Sequence, residues 1–271
     1  MYDYFAKIYE KGGAILLLTI NIGNFNILIG AYKNDTLYFR SQVRTDLMKT
    51  SDEYAIQLKN LFDLYGASCE ELEGAIISSV APALTSCLRE AVLLLGNFRV
   101  LTVGPGLKTG LNIKIDNPAQ LGADIVAGAV AVCSSYSLPA LVVNFDTAIS
   151  VMAIDSKGSI IGGCISPGIR LSLDALTTHA AQLPQIDLEA FPETVAGTNT
   201  IASMEAGLII GNACMLDGLI DRFAKLLFGV PTVVMTGEFC PQIMHYCTHE
   251  TLHNPNLICD GLSLIYRRNV K

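Results

Sequence analysis

The sequence predicts an α/β protein built from two related halves that face a central cleft. Three observations carry this reading. A strand–turn–strand–turn–strand pattern occurs twice, and strand-like runs alternate with helix-like runs after each copy. Hydrophobic residues make up 51% of the 271 residues against 16% charged, enough apolar side chain for a large core.

The first copy runs LLLTI, NIGNFN, ILIGAY, then Lys33-Asn34-Asp35 and TLYFRSQV. The second runs ALVV, NFDTAI, SVMAID, then Ser156-Lys157-Gly158-Ser159 and IIGGCI. Each reads as a buried strand, a tight polar turn opening at an asparagine (Asn21, Asn144), a second strand, a hairpin turn and a third strand. Helical spacing follows over 52–65; GAIISSV at 74–80 is a strand with a helix after it, and FRVLTVG at 98–104 is the next strand. In the second half 202–228 is largely helical, and PTVVMTG at 231–237 is a buried strand ending in a glycine turn. The halves are expected to span 14–136 and 137–257, with a terminal helix over 258–271 packing back on the first and residues 1–13 forming an extension.

Net charge is −7 and no Lys/Arg cluster exceeds short pieces such as Arg267-Arg268, which argues against a nucleic-acid partner. Mean hydropathy of +0.43 raises the question of a membrane. The longest uncharged stretch, 125–145, is broken by Ser134, Ser135, Ser137, Pro139 and Asn144, so it reads as a buried helix, a turn and a buried strand. No secretory signal is legible at the N-terminus, and eight cysteines never form a C-x-x-C pair. A cytoplasmic protein with reduced thiols and no membrane partner is the expectation. His245, Cys247, His249 and His253, with Cys240 nearby, match no closed structural-zinc spacing.

Duplication with two facing turns resembles the plan of the actin, hexokinase and acetate kinase superfamily, whose duplicated ribonuclease H-like domains clamp ATP. Finer pieces match one family within it. RTD and KTSDEY (44–54), SSVAPALT (78–85), VGPGLKTGL (103–111), DNPAQLGAD (116–124), GGCISPGI (162–169), LPQI (183–186), GTNT (197–200) and LICDGLSLIYRRN (257–269) occur in order. On these pieces the chain resembles type III pantothenate kinase (Bvg accessory factor-like) from about residue 16 to 269.

That resemblance implies a homodimer in which ATP, with magnesium and a monovalent cation (potassium or ammonium), phosphorylates pantothenate at the start of coenzyme A synthesis. It implies that Asp124 is the general base toward the pantothenate hydroxyl, a role a carboxylate suits because phosphoryl transfer relies on positioning and electrostatics. Read from residues alone, Asp124 is first a helix N-cap, a role Asp also favours. Ile115, Gly122, Ala123, Ile125 and Thr200 would line the acceptor site; Thr200 is also a natural helix cap. Asn21, Gly23, Asn24, Asn26, Thr147, Thr236 and Gly237 would contact the nucleotide, and Asn144 the monovalent cation. By sequence alone Thr236-Gly237 is simply a turn after a buried strand.

Several positions depart from the family. Its first turn reads Asp-x-Gly-Asn-Thr where this chain has Asn21-Ile22-Gly23-Asn24-Phe25, which removes a metal-organising carboxylate and a hydroxyl. Its second reads Asp-x-Gly-Thr-Ala where this chain has Asn144-Phe145-Asp146-Thr147-Ala148, which removes a cation ligand and adds an acid where phosphate should approach. Ile125 stands for the family's Arg, Ile115 for a Tyr, and Glu238 for the second Gly of Thr-Gly-Gly. Seven departures at ligand positions imply a degraded phosphate and metal site that weakens or abolishes activity. The alternatives are a non-catalytic paralogue acting as a dimeric ligand-binding or regulatory protein, a kinase of another small substrate with a more apolar acceptor pocket, and contacts relocated to other side chains, Asp146 itself becoming a metal ligand.

Overall fold

The structure is a computed structural model, described for residues 15–188 and 191–270; the expected extension over 1–13 lies outside them. The chain divides into two compact units, one holding the chain up to 109 with 122–127 and the segment from 259, the other 110–121 and 128–258.

In the first unit, strands β1 (Leu16–Ile22), β2 (Asn26–Lys33), β3 (Thr36–Arg44), β4 (Leu72–Ser79) and β5 (Arg99–Thr102) form one sheet in the order β3-β2-β1-β4-β5. Every residue of β1 is buried, as its uncharged LLLTINI run requires of a central strand covered on both faces. It pairs antiparallel with β2 and parallel with β4.

Helix α1 (Ser51–Leu64) starts at a capping box in which Thr50 and Glu53 satisfy each other's backbone N–H groups. Its Tyr54, Leu58 and Phe62 recur every fourth residue and enter the core beside Leu84, Leu88 and Ala91 of α2 (Pro82–Leu94).

Helix α3 (Ala123–Ser135) follows in sequence, and α7 (Leu257–Asn269) closes the chain. From residue 259 onward α7 belongs to the first unit. It lies so close that a Cβ on Gly261 would come within 1.8 Å of the Ala127 carbonyl oxygen. A Cβ on Gly74 would likewise meet the Tyr266 hydroxyl at 1.8 Å. The Tyr32 hydroxyl donates to Asp260 at 2.6 Å.

The second unit repeats the arrangement. Strands β6 (Asn112–Ile113), β7 (Ala140–Phe145), β8 (Ala148–Ile154), β9 (Ser159–Pro167), β10 (Thr232–Gly237) and β11 (Leu252–His253) form a sheet in the order β11-β10-β7-β8-β9-β6. Here β7 takes the place of β1, antiparallel to β8 and parallel to β10. The added strand β6 extends the far edge beside β9.

Helices α4 (Ile169–His179), α5 (Thr200–Leu227) and α6 (Cys240–Tyr246) complete this unit. By length and composition α5 could cross a membrane. Its Met204, Leu208, Ile209, Ala213, Leu216 and Ile220 instead join the core made by β7, β8 and β10. The uncharged stretch 125–145 is a helix, a turn and a strand, as its serines and proline foretell.

Candidate functional site

Each unit presents one polar turn at the end of its central strand, and the two turns are built alike. In the first, β1 ends at Asn21-Ile22 and returns as β2 from Asn26. Gly23 N–H donates to Asn26 O at 2.9 Å, closing the turn. Thr45 fastens it from outside: its N–H donates to Phe25 O at 2.9 Å and its hydroxyl to Gly23 O at 2.8 Å. Asn24 and Phe25 are exposed at the tip while Asn21 is buried. Across the parallel ladder Asn21 faces Ser78, whose hydroxyl donates to its side-chain Oδ1.

In the second turn β7 ends at Asn144-Phe145, and Asn144 faces Thr236 of β10 in the same parallel register. Both are buried. Asp146 N–H donates to Ala148 O at 3.2 Å. Two glycines clamp the turn. Gly168 N–H donates to Thr147 O at 3.0 Å, and a Cβ there would lie 2.2 Å from Asp146 O. Gly237, at φ +111°, lies against Phe145, whose carbonyl oxygen would be 2.1 Å from a Cβ and accepts from Glu238 N–H at 3.1 Å. The Thr147 Oγ1 is buried and has no hydrogen-bond partner among the described residues. A buried hydroxyl left this way can take its partner from water or from a ligand.

Asp124 is the second residue of α3, inside the first turn rather than at its cap, where the helix dipole favours a carboxylate. Its Oδ1 would lie 2.6 Å from a Cβ on residue 122, so Gly122 is the residue that leaves room for this carboxylate. Gly122 O accepts from Val126 N–H at 3.0 Å, and Ala123 and Ile125 flank Asp124 half-buried. Thr200 is the first residue of α5 and exposed; the capping role falls to Asn199, whose side chain accepts from Ala202 N–H. Ile115 follows β6, half-buried, next to Lys114, which pairs with Asp155 at 2.8 Å.

The acid at Glu238 does not stand alone. Arg170 Nε donates to its Oε2 at 2.9 Å and Arg170 Nη2 to its Oε1, a bidentate pair. The same guanidinium sits over the Phe239 ring, 5.4 Å from its centroid. Counting carboxylates from the sequence therefore overstates the repulsion at this turn by one charge. Of the histidine and cysteine cluster, His249 pairs with Asp221 at 2.9 Å and His245 packs edge-on against Phe191 and Tyr246.

The donors at the two turns fit magnesium, ATP and a monovalent cation unequally. At Asn21 the side-chain oxygen accepts from Ser78 and the other end is a donor, so this neutral amide brings no negative charge and only one free lone pair to organise magnesium. Thr147, whose hydroxyl has no partner among the described residues, fits a phosphate oxygen. Asn144 carries a neutral amide oxygen, a weaker cation ligand than a carboxylate would be.

The comparisons agree with one another. A type III pantothenate kinase from Exiguobacterium sp. is 41% identical over 258 residues, covering 94% of this chain and 100% of that protein. Among solved structures, a conserved putative Baf family transcriptional activator from Campylobacter jejuni is 20% identical with a TM-score of 0.52, covering 93% of this chain and 97% of its own. A ROK hexokinase from Thermus thermophilus is 12% identical with a TM-score of 0.53 over 94% and 99%. These likenesses show the fold, duplicated ribonuclease H-like domains of the actin and sugar-kinase type. A family model described as type III pantothenate kinase matches residues 17–222, and with the relative above it shows that the chain belongs to the type III pantothenate kinase family.

Proposed function

We propose that this chain phosphorylates pantothenate with ATP, the opening step of coenzyme A synthesis, and does so slowly because its phosphate and metal site is degraded. The observation that carries the reading is Asp124, kept in the first turn of α3 with Gly122 making room for its carboxylate. A carboxylate there can accept the proton of the attacking hydroxyl, and the step otherwise depends on positioning and charge neutralisation.

In this reading Ile115, Gly122, Ala123, Ile125 and Thr200 contact the acceptor. Asn21, Gly23, Asn24, Asn26, Thr147, Thr236 and Gly237 contact ATP, and Asn144 contacts a potassium or ammonium ion. Magnesium arrives on the phosphates and neutralises part of their charge. The weakened rate follows from the two amides, Asn21 and Asn144, and from Asp146 beside Thr147.

The protein works in the cytoplasm as a homodimer in this reading. Exposed Ile165, Leu171 and Leu176 on β9 and α4 support that assembly, because a partner seated there would cover them. Light scattering at micromolar concentration should give twice the chain mass; a monomer would remove the dimer from the proposal.

A second reading, a non-catalytic dimeric ligand-binding or regulatory paralogue, is favoured by the occupied Oδ1 of Asn21. A magnesium-ATP titration followed by a phosphopantothenate assay separates the two. Binding with slow product supports the first, whereas ligand binding with no product over many hours supports the second.

A further inference from the structure

We propose that Arg170 is a phosphate-binding residue of the nucleotide site, and that Glu238 holds its guanidinium beside the second turn until a polyphosphate takes it over. The proposal rests on the nucleotide-binding reading above and adds to it a cation that its site residues lack.

The segments that carry the pair are tied by backbone to the same turn, one on each side. Gly168, two residues before Arg170, donates to Thr147 O at 3.0 Å. Glu238 itself donates through its N–H to Phe145 O at 3.1 Å. The ion pair therefore straddles residues 145–147, where the buried Thr147 hydroxyl lacks a partner among the described residues. A guanidinium presents the same planar fork to a carboxylate and to a phosphate, so exchange of partner needs no change in its geometry.

Exposure makes the exchange feasible. The side chains of Arg170 and Glu238 are 51% and 40% exposed, so Glu238 can return to water when released. Phe239 under the guanidinium holds the arginine near the turn in either state. The charges of Asp174 and Asp187 also act on Arg170; with Glu238, whose hydrogen bond is the largest cause, they raise its pKa and keep it a cation. At rest the pair adds no net charge, which offsets the acid that Glu238 brings to a phosphate site.

A structural clamp and a phosphate ligand held in reserve respond oppositely to loss of Glu238, and this gives the test. Calorimetric titrations would use magnesium-ATP, magnesium-ADP and sodium tripolyphosphate against the full chain and its Arg170→Met, Arg170→Lys and Glu238→Gln variants. Thermal melts would confirm that each variant is folded. The expected result is that Arg170→Met weakens ATP and tripolyphosphate about tenfold or more, with a smaller loss for ADP. Arg170→Lys should keep part of the affinity, and Glu238→Gln should tighten tripolyphosphate about threefold. Weakening by Glu238→Gln as large as that by Arg170→Met would overturn the proposal, because the pair would then be a clamp. Unchanged tripolyphosphate affinity in Arg170→Met, or no tripolyphosphate binding by the parent chain, would overturn it as well. The expected pattern without phosphopantothenate formation would leave it standing while the pantothenate reading fails. Phosphopantothenate formation with an unaltered KM for ATP in Arg170→Met would sink this inference alone.

Discussion

Ser78 gives its hydroxyl proton to the side-chain oxygen of Asn21, deep in the first unit, where both residues sit in register on neighbouring parallel strands. The second unit repeats the juxtaposition with Thr236 and Asn144. In each unit a small hydroxyl residue therefore faces an amide at the end of the central strand, where the family resemblance expects a carboxylate. A carboxylate could accept the same hydroxyl proton and keep a second oxygen for a cation; the amide cannot.

Restoring the charges should therefore restore binding. The combined variant Asn21→Asp, Asn144→Asp and Asp146→Gly is expected to tighten magnesium-ATP by about tenfold or more, read by calorimetry. An affinity equal to that of the parent chain would show that the scaffold, and not these three side chains, limits nucleotide binding.

A side chain at residue 122 should displace the Asp124 carboxylate. A methyl group would sit 2.6 Å from Asp124 Oδ1 and push the carboxylate aside. Gly122→Ala is expected to lower kcat about 100-fold with little change in melting temperature. Asp124→Asn should lower it by about 10² to 10⁴. Equal activity in both variants and the parent would remove Asp124 from the reaction.

Acid should undo one surface pair in a defined window. The Asp155 carboxyl is pushed down to about 2, first by the hydrogen bond from Lys114 and then by the N–H groups of Ser159 and Lys157. Because its folded pKa lies below the unfolded value of about 3.9, its contribution to stability is complete above pH ~4 and fades as pH falls toward ~2. In Lys114→Met, NMR titration should find the Asp155 pKa moved upward, though still below the ordinary value because two N–H donors remain. No movement would mean that Lys114 adds nothing there.

Thiol chemistry should sort the cysteines by burial. Burial pushes the Cys259 and Cys247 thiols up to about 12 each, so few thiolates form at pH 8. Iodoacetamide should label exposed Cys214 first and leave buried Cys259 and Cys240 unmodified until guanidinium is added. Mass spectrometry of the native protein showing early label on Cys259 would contradict its placement.

Much of the fold was legible because its determinants are local. Uncharged runs mark β1 and β7, helical spacing over 52–65 marks α1, and the doubled motif marks the repeat. The turns could be found for the same reason. What stayed hidden depends on residues far apart in sequence. Nothing near Glu238 signals Arg170, 68 positions earlier, so its carboxylate read as an unopposed acid. Thr45 gave no sign that it would fasten the first turn from 22 positions away. The two-residue strand β6 joins the second sheet through register with β9, and two residues are too few to show a period. Asn199, not Thr200, caps α5, a choice between adjacent residues that both have capping chemistry.

The close seat of α7 has a consequence for how the protein is made. The first sheet is assembled from residues near the start of the chain, yet Gly30 and Gly74 lie directly against Cys259 and Tyr266 of α7, and Gly261 lies against Ala127. The ribosome releases those residues only well after the strands of the first sheet have emerged. Until then the first unit exposes apolar surface that no earlier segment covers, while most of the second unit has already emerged. The order of completion is thus the reverse of the order of synthesis, and the newly finished half is the one exposed longest to aggregation and to chaperones.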